Sequence, residues 1–166
     1  MYQQSFIPSF FSLMMKVSFH YVPGEGFDSD DGKDKVRIYF SQDRKDERHA
    51  PTELLLLAIG SCTSDDVLSI LKKMRQEFTS YRCEISGEKR DEHPRILKYA
   101  HIKYIFEGNV DADKARKAIH LSLKKYCSVS ITVERGGVPV LYSLEINGKT
   151  VDDSVDVEEI KLEEEA

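Results

Sequence analysis

The chain has 166 residues, of which 40% are hydrophobic and 32% charged, and its formal net charge is −5. This length and composition predict one globular domain with a hydrophobic core and leave little room for two complete domains. The charge is uneven, because residues 151–166 contain eight acidic side chains and one lysine whereas the rest of the chain is slightly basic. No concentrated basic face is evident, so we expect no nucleic-acid partner.

The two ends of the chain predict little folded structure. Residues 1–14 are apolar but lack the charged start and the cleavage site of a secretory signal. We expect them to be a loose extension, with Met15 as an alternative start. Residues 15–149 are expected to form a single domain. The acidic tail over residues 150–166 is expected to stay solvated, or to form a frayed helix from Glu158 onward.

Hydropathy and cysteine content indicate the cellular compartment in which the protein is expected to work. No segment reaches the ~18–20 apolar residues that span a bilayer, so we expect no membrane partner. Three cysteines without a signal peptide or a CxxC pair argue against a disulfide framework and against a zinc site. We therefore expect a cytoplasmic protein with reduced thiols and no bound metal.

The first half of the chain predicts a β-hairpin followed by a long helix. Apolar residues alternate with polar ones over residues 17–22 and again over residues 36–41, and the turn-rich segment 23–34 lies between them. Two strands that pair back on each other are the expected result. After a charged loop, residues 52–76 form the predicted helix, with Pro51 at or just before its first turn.

The second half predicts two strands, a helix and a last strand. Alternation indicates strands over residues 78–90 and 95–108, and a stripe with i, i+3/i+4 spacing indicates a helix over residues 111–126. Alternation returns over residues 138–146. The order β-β-α-β-β-α-β predicts the α+β class, with a mainly antiparallel sheet packed on the long central helix.

The central helix raises a packing problem. Its first half is apolar on every side, so we expect it to be buried all round. Five strands and two helices are too few to surround such a helix. A second subunit would complete the core, and we therefore expect an obligate homodimer.

Cys62 is the first candidate reactive residue. It lies where the apolar run 54–59 gives way to an acidic segment, with small residues on both sides. Cysteines near helix N-termini have lowered pKa values and react as thiolates, and Thr63 or Ser64 would cap such a terminus if the helix kinks there. The residues alone leave this interpretation and inert packing both open.

The two other cysteines carry weaker signals. Cys83 faces inward on a predicted strand, where a cysteine is typically core packing. Cys127 lies at the end of the predicted second helix, beside Lys124 and Lys125, and a cysteine there is also more often packing. Together, Cys62 and Cys127 suggest a peroxidatic and resolving pair. Such a pair requires a fold that brings the two Cα atoms within about 7 Å.

Charged candidates are less specific. Glu53 is the only acid in the apolar half of the predicted helix, where it complements the helix dipole. It does not point at Cys62 of its own helix unless the helix kinks or a second subunit presents it. Arg37, Arg44 and Arg48 are arginines able to steady a thiolate, although we expect Arg44 and Arg48 to be solvated loop charges. The five histidines show no metal-ligand spacing.

Two cysteine segments resemble the OsmC/Ohr family of thiol-dependent peroxidases, and most closely its OsmC-like branch: PTELLLLAIGSCTSDDVLSILKK and LSLKKYCSVS. The resemblance spans roughly residues 15–147. It implies an intertwined homodimer in which the long central helices pack on each other and two active sites lie at the interface. It also implies that Cys62 is the peroxidatic cysteine, that Cys127 is the resolving cysteine, and that no cofactor is needed. The implied reductant is an external dithiol of the lipoyl or thioredoxin type.

The activity that the resemblance implies is reduction of organic hydroperoxides in defence against oxidative stress. One position departs from the family. The glutamate that follows the opening proline is Thr52 in this chain, and the acid comes one residue later, at Glu53. A one-residue shift turns a side chain by ~100° on a helix. Glu53 therefore does not simply take over that role, and we expect an activity that is weak or directed at another substrate.

A function without catalysis is the alternative. The chain would then be a small-molecule carrier that uses the interface pocket, or a thiol redox sensor that signals through the same disulfide. A carrier does not need Cys127, so the presence of both cysteines favours redox cycling.

Overall fold

A computed structural model describes the chain at residues 15, 17–39 and 48–162. The chain divides into two units, with the boundary between Pro51 and Thr52. The loose extension predicted over residues 1–14 lies outside the described residues. The single domain predicted over residues 15–149 stays a prediction.

The first unit contains a three-stranded antiparallel sheet. Its strands, in spatial order, are β1 (Phe19–Val22), β2 (Gly26–Ser29) and β3 (Arg37–Tyr39). The hairpin predicted between residues 17–22 and 36–41 is wrong, because β2 lies between the two outer strands and pairs with both. Phe27 explains the extra strand, since its ring packs against Phe19 and Tyr21 with centroid distances of 5.4 and 5.9 Å.

The second unit carries the remaining elements. They are α1 (Pro51–Lys73, which starts at the boundary), β4 (Glu77–Lys89), β5 (Leu97–Asn109), α2 (Ala112–Leu121), a π-helical turn (Ser122–Tyr126), α3 (Ser128–Arg135), β6 (Val140–Ile146), β7 (Lys149–Asp156) and a 3₁₀ turn (Val157–Glu159). The four strands form a sheet in sequence order. Only the β5–β6 pair is parallel, and α2 and α3 connect these two strands. The predicted α+β class with mainly antiparallel pairing is confirmed.

One face of the four-stranded sheet forms the core. Along β5, every second side chain from Ala100 to Phe106 is fully buried, as the two-residue period of a strand requires. The neighbouring strand β6 presents buried side chains in the same register: Val140, Tyr142, Leu144 and Ile146. Both α1 and α2 contribute to this hydrophobic cluster, so helices and sheet share a single core in the second unit.

Helix α1 is buried along one stripe, which consists of Ile59, Gly60, Thr63, Val67 and Leu71. The spacing of three or four residues places these side chains on one face. In the single chain, however, Leu55 and Leu57 are 39% and 50% exposed, so the first half is not buried all round. The homodimer that would cover it stays a prediction. By length and composition α1 could cross a membrane, but a core helix of a soluble protein passes the same test.

The helix predicted over residues 111–126 is divided in the structure. Asp111 caps α2 by accepting a hydrogen bond from the Lys114 backbone N–H at 2.9 Å. From Ser122 the chain widens into the π-helical turn, and at Cys127 it leaves the helical region, with ψ at 96°. Directly after Cys127 begins α3, a helix that the sequence patterns do not predict.

The acidic tail predicted over residues 150–166 is wrong for most of its length. Strand β7 pairs with β6, and the 3₁₀ turn follows it. Asp152 accepts two hydrogen bonds from the Arg116 guanidinium at 2.9 and 3.0 Å, which balances part of the negative charge. Val157 and Ile160 are 1% and 7% exposed. The segment therefore completes the sheet and the core.

Replacing Val157 by alanine tests whether this segment is folded. Loss of two buried methyl groups should lower the free energy of unfolding by about 1–2.5 kcal/mol, measured by urea denaturation. Glu159→Ala, at an exposed position in the same turn, is the matched control and should change the free energy by less than about 0.5 kcal/mol. Equal effects of the two substitutions would show that the segment is solvated.

Candidate active site

Cys62 lies on α1, next to the buried stripe, and its side chain is half-buried. Two residues earlier, a Cβ on Gly60 would lie 3.4 Å from Ile85 Cγ2 and 3.5 Å from Cys83 Sγ. There is room for a methyl group at most, so α1 packs closely on β4 at this point. One residue later, Thr63 is fully buried. Cys62 is therefore a partly exposed residue on a helix that is held against the sheet at the neighbouring positions.

Cys127 occupies the break between the π-helical turn and α3. Its backbone N–H donates to the Ser122 carbonyl at 2.8 Å. Its sulfur is the N-cap of α3 and accepts a hydrogen bond from the Ser130 backbone N–H at 3.4 Å. The side chain is fully buried. Cys127 is thus more than a packing residue at a helix end, because its sulfur fills the place of a capping group.

The structure brings Cys62 and Cys127 together. The two side chains are neighbours, since Cys62 is among the groups that raise the pKa of the Cys127 thiol. Burial raises the pKa of Cys127, and Cys62 adds to that rise, whereas the hydrogen bonds of Ser130 oppose it. Reduced Cys127 is therefore a protonated thiol, and of the two cysteines only Cys62 is partly exposed.

A chain of buried hydroxyl groups runs beside the two cysteines. Tyr104 Oη lies 2.6 Å from Thr63 Oγ1, and Thr63 Oγ1 lies 2.9 Å from Ser122 Oγ. Ser122 Oγ donates to Asp66 Oδ2 at 2.9 Å. Sequence reasoning missed this chain. Its only signal was a threonine on an otherwise apolar helical stripe, because a buried polar side chain requires a partner.

Cys83 has different neighbours. Burial raises its pKa, and the nearby hydroxyls of Ser64 and Tyr81 offset only part of that rise. These two hydroxyls also lie 2.7 Å from each other. The Cys83 thiol therefore stays protonated against hydroxyl groups, as expected for a packing cysteine.

Glu53 lies in the first turn of α1, and two of the candidate arginines, Arg37 and Arg48, belong to the first unit. Glu53 is exposed in the first turn of α1, and nine residues of helix separate it from Cys62 by about 13.5 Å along the axis. Arg37 is exposed on β3, and Arg44 lies outside the described residues. The expectation that Arg48 is a solvated loop charge is wrong. Arg48 is 6% exposed and donates to the Asp28 and Glu25 carboxylates and to the Phe27 carbonyl within the first unit, because a buried charge requires such partners.

The fold is of the α+β class and places a half-buried cysteine beside a fully buried one. Comparison with known proteins narrows this class. The family described as "OsmC-like protein" matches residues 44–143 of the chain. The chain therefore belongs to the OsmC-like family, and the resemblance of its cysteine segments is confirmed.

Three known proteins are similar to the chain in sequence or in fold. Protein YhfA of Escherichia coli K12 is 35% identical over 102 residues, which are 61% of this chain and 75% of YhfA. A hypothetical protein from Aquifex aeolicus VF5 is 31% identical with a TM-score of 0.72, over 81% of this chain and 96% of that chain. An organic hydroperoxide resistance protein from Elizabethkingia anophelis shares the fold, with a TM-score of 0.60 and 14% identity over 81% and 98% of the two chains.

Mild oxidation tests the pairing of the cysteines. Treatment with diamide should link Cys62 to Cys127 and leave Cys83 free, because the first two sulfurs are neighbours and Cys83 faces hydroxyl groups. Peptide mapping by mass spectrometry after alkylation reads the result. Cys83→Ser should form the same disulfide, and Cys127→Ser should form none within the chain. A main product that contains Cys83 would contradict this arrangement.

Proposed function

We propose that this protein is a cysteine-based peroxidase that reduces organic hydroperoxides and takes part in defence against oxidative stress. The observation that supports the proposal is that the half-buried Cys62 and the fully buried Cys127 are neighbours. A small-molecule carrier has no need of the second sulfur. The cytoplasmic location predicted from the unpaired cysteines belongs to the proposal, since a reducing compartment keeps the pair ready to react.

The first step uses Cys62 as the peroxidatic cysteine. Its thiolate attacks the outer oxygen of the hydroperoxide, and the O–O bond breaks as the S–O bond forms. The departing alkoxide takes up one proton and leaves as the alcohol. Cys62 is oxidised to a sulfenic acid, and the hydroperoxide is reduced by the same two electrons.

The second step uses Cys127 as the resolving cysteine. Its sulfur attacks the sulfenic sulfur of Cys62, so that an S–S bond forms and the S–O bond breaks. The proton that burial keeps on Cys127 leaves with this oxygen as water. An external dithiol of the lipoyl or thioredoxin type then reduces the disulfide, becomes a disulfide itself, and returns both cysteines to thiols.

The preference for organic hydroperoxides follows from the surroundings of Cys62 on α1. Leu55 and Ala58 precede it by seven and four residues, so they lie on the same helix face. Leu55 is 39% exposed and available to an apolar group on the substrate. The Elizabethkingia anophelis organic hydroperoxide resistance protein has the same fold, which supports this substrate class.

In this proposal, Glu53 of one subunit acts on Cys62 of the other subunit. Helix α1 is unbroken from Pro51 to Lys73, so Glu53 stays about two and a half turns from Cys62 of its own chain. In the proposed homodimer, a second copy would cover Leu57 of α1 and bring its own Glu53 toward Cys62. This arrangement would compensate for Thr52 at the position where the family has its glutamate.

Peroxidase turnover with cumene hydroperoxide and a dithiol tests the two cysteine roles. Cys62→Ser should lower turnover at least about 100-fold, because no other accessible thiol faces a resolving partner in the described part of the chain. Cys127→Ser should consume one equivalent of peroxide and accumulate a sulfenic acid on Cys62, detected by dimedone labelling. Cys83→Ser is the matched control and should keep turnover within about twofold. Full turnover by Cys62→Ser would refute the proposal.

Measuring the oligomeric state tests whether a second copy of the chain packs on α1. Light scattering should give twice the mass of the chain for the wild type. Leu57→Glu should produce monomers, because a charge would be buried against the second copy. Lys72→Glu, at an exposed position near the end of the same helix, is the control and should leave the mass unchanged. A monomeric wild type, or a dimeric Leu57→Glu variant, would rule out this interface.

A further inference from the structure

The buried hydroxyl chain has a defined direction. Each hydroxyl has one proton to donate. Ser122 donates its proton to Asp66, so Thr63 must donate to Ser122, and Tyr104 must donate to Thr63. Burial raises the pKa of Tyr104 well above its usual value, which keeps the first donor protonated. All three protons therefore point toward one carboxylate, an arrangement in which each bond strengthens the next.

The chain joins the segments that carry the two redox cysteines. Thr63 directly follows Cys62 on α1, and Ser122 opens the π-helical turn. The Ser122 side chain is bound to α1, while its backbone carbonyl accepts the Cys127 N–H at 2.8 Å. One residue thus connects the helix of the first cysteine with the backbone of the second.

The hydrogen-bond register of the π-helical turn affects the direction of the Cys127 side chain. A regular α-helix would pair the Cys127 N–H with the carbonyl of Leu123 and not with that of Ser122. Such a change of register turns the following side chain by roughly 100°. Wide turns of this type are rare in helices and often occur at functional sites. The Ser122 hydroxyl, held between Thr63 and Asp66, fixes the residue at which the turn begins.

We propose that Ser122 and Thr63 are positioning residues, which hold the π-helical turn against α1 so that the Cys127 thiol faces Cys62. Neither residue reacts with the substrate. The consequence for peroxide reduction, a fast resolving step, rests on the proposed function. The consequence for disulfide formation does not rest on the proposed function, because a disulfide forms whenever the two sulfurs are close enough and an oxidant is present.

Equilibration with glutathione tests the positioning directly. Oxidised glutathione takes up the two electrons of the dithiol, giving the Cys62–Cys127 disulfide and two molecules of reduced glutathione. Ser122→Ala and Thr63→Val should each lower the equilibrium constant for disulfide formation at least about tenfold, equivalent to about 30 mV. Ser122→Thr and Thr63→Ser restore a hydroxyl and should stay within about threefold of the wild type.

Ser143→Ala is the matched control. Ser143 is also buried, at 4% exposure, and its hydroxyl donates to the Asp153 carboxylate at 3.1 Å, but it alternates with Tyr142 and so lies on the other face of β6. The Ser143→Ala substitution should leave the equilibrium constant for disulfide formation unchanged. An equal loss in this control, or no loss in either positioning variant, would overturn the inference. If Ser122→Ala fails to fold by circular dichroism, the nearly isosteric Thr63→Val decides the outcome.

A second readout separates this inference from the proposed function. With cumene hydroperoxide, the positioning variants should form the Cys62 sulfenic acid at the wild-type rate but lose it to the disulfide at least about tenfold more slowly, since the attacking sulfur is misplaced. Dimedone trapping over time measures both rates. A wild type that forms no sulfenic acid, together with the expected glutathione result, would refute the peroxidase and support the positioning role. Wild-type rates in both steps for Ser122→Ala and Thr63→Val would refute the positioning role alone.

Discussion

The packing of α1 on the four-stranded sheet is the constraint on which the cysteine pair depends. Its buried stripe is apolar except at Thr63, and Cys62 is the adjacent residue. Hydrophobic burial is not directional, so an apolar stripe alone would tolerate a small rotation of the helix. The bonds from Thr63 to Tyr104 and Ser122, at 2.6 and 2.9 Å, are directional and fix that rotation. Any turn of α1 about its axis would break them and move Cys62 as well.

The polar chain inside the core favours one arrangement over its alternatives more than it adds net stability. A buried hydroxyl without a partner costs about 1–3 kcal/mol, and Thr63, Tyr104 and Ser122 are all fully buried. In the described part of the chain every buried polar side-chain atom has a hydrogen-bond partner. A shifted register of α1 or of the π-helical turn would leave several of these groups unpaired at once. Alternative packing arrangements therefore have a higher free energy than the one that places Cys62 beside Cys127.

Long periodic segments could be predicted from the sequence, and short or tertiary features could not. Helix α1 and strands β4, β5 and β6 are long enough for their period to be unambiguous. Strand β2 has four residues, two of them polar, and its pairing depends on Phe27. Strand β7 is rich in acids whose partners come from the folded chain: Arg116 for Asp152, and Ser143 for Asp153. In the candidate site, both cysteines could be found from their segments. The hydroxyl chain could not, because Thr63 and Ser122 are 59 residues apart and only the fold makes them partners.

Burial and local partners give the cysteine thiols of this chain different surroundings. Burial raises the pKa of both Cys83 and Cys127, so the direction of the shift alone does not distinguish the packing residue from the proposed resolving cysteine. The difference lies in what each sulfur meets. Cys83 lies near the hydroxyls of Ser64 and Tyr81, which cannot form a disulfide, whereas Cys127 has the Cys62 side chain as a neighbour. Cys127 has this neighbour because the chain leaves the helical region at that residue. The break between the π-helical turn and α3 is therefore what converts a buried cysteine into a partner for the accessible one.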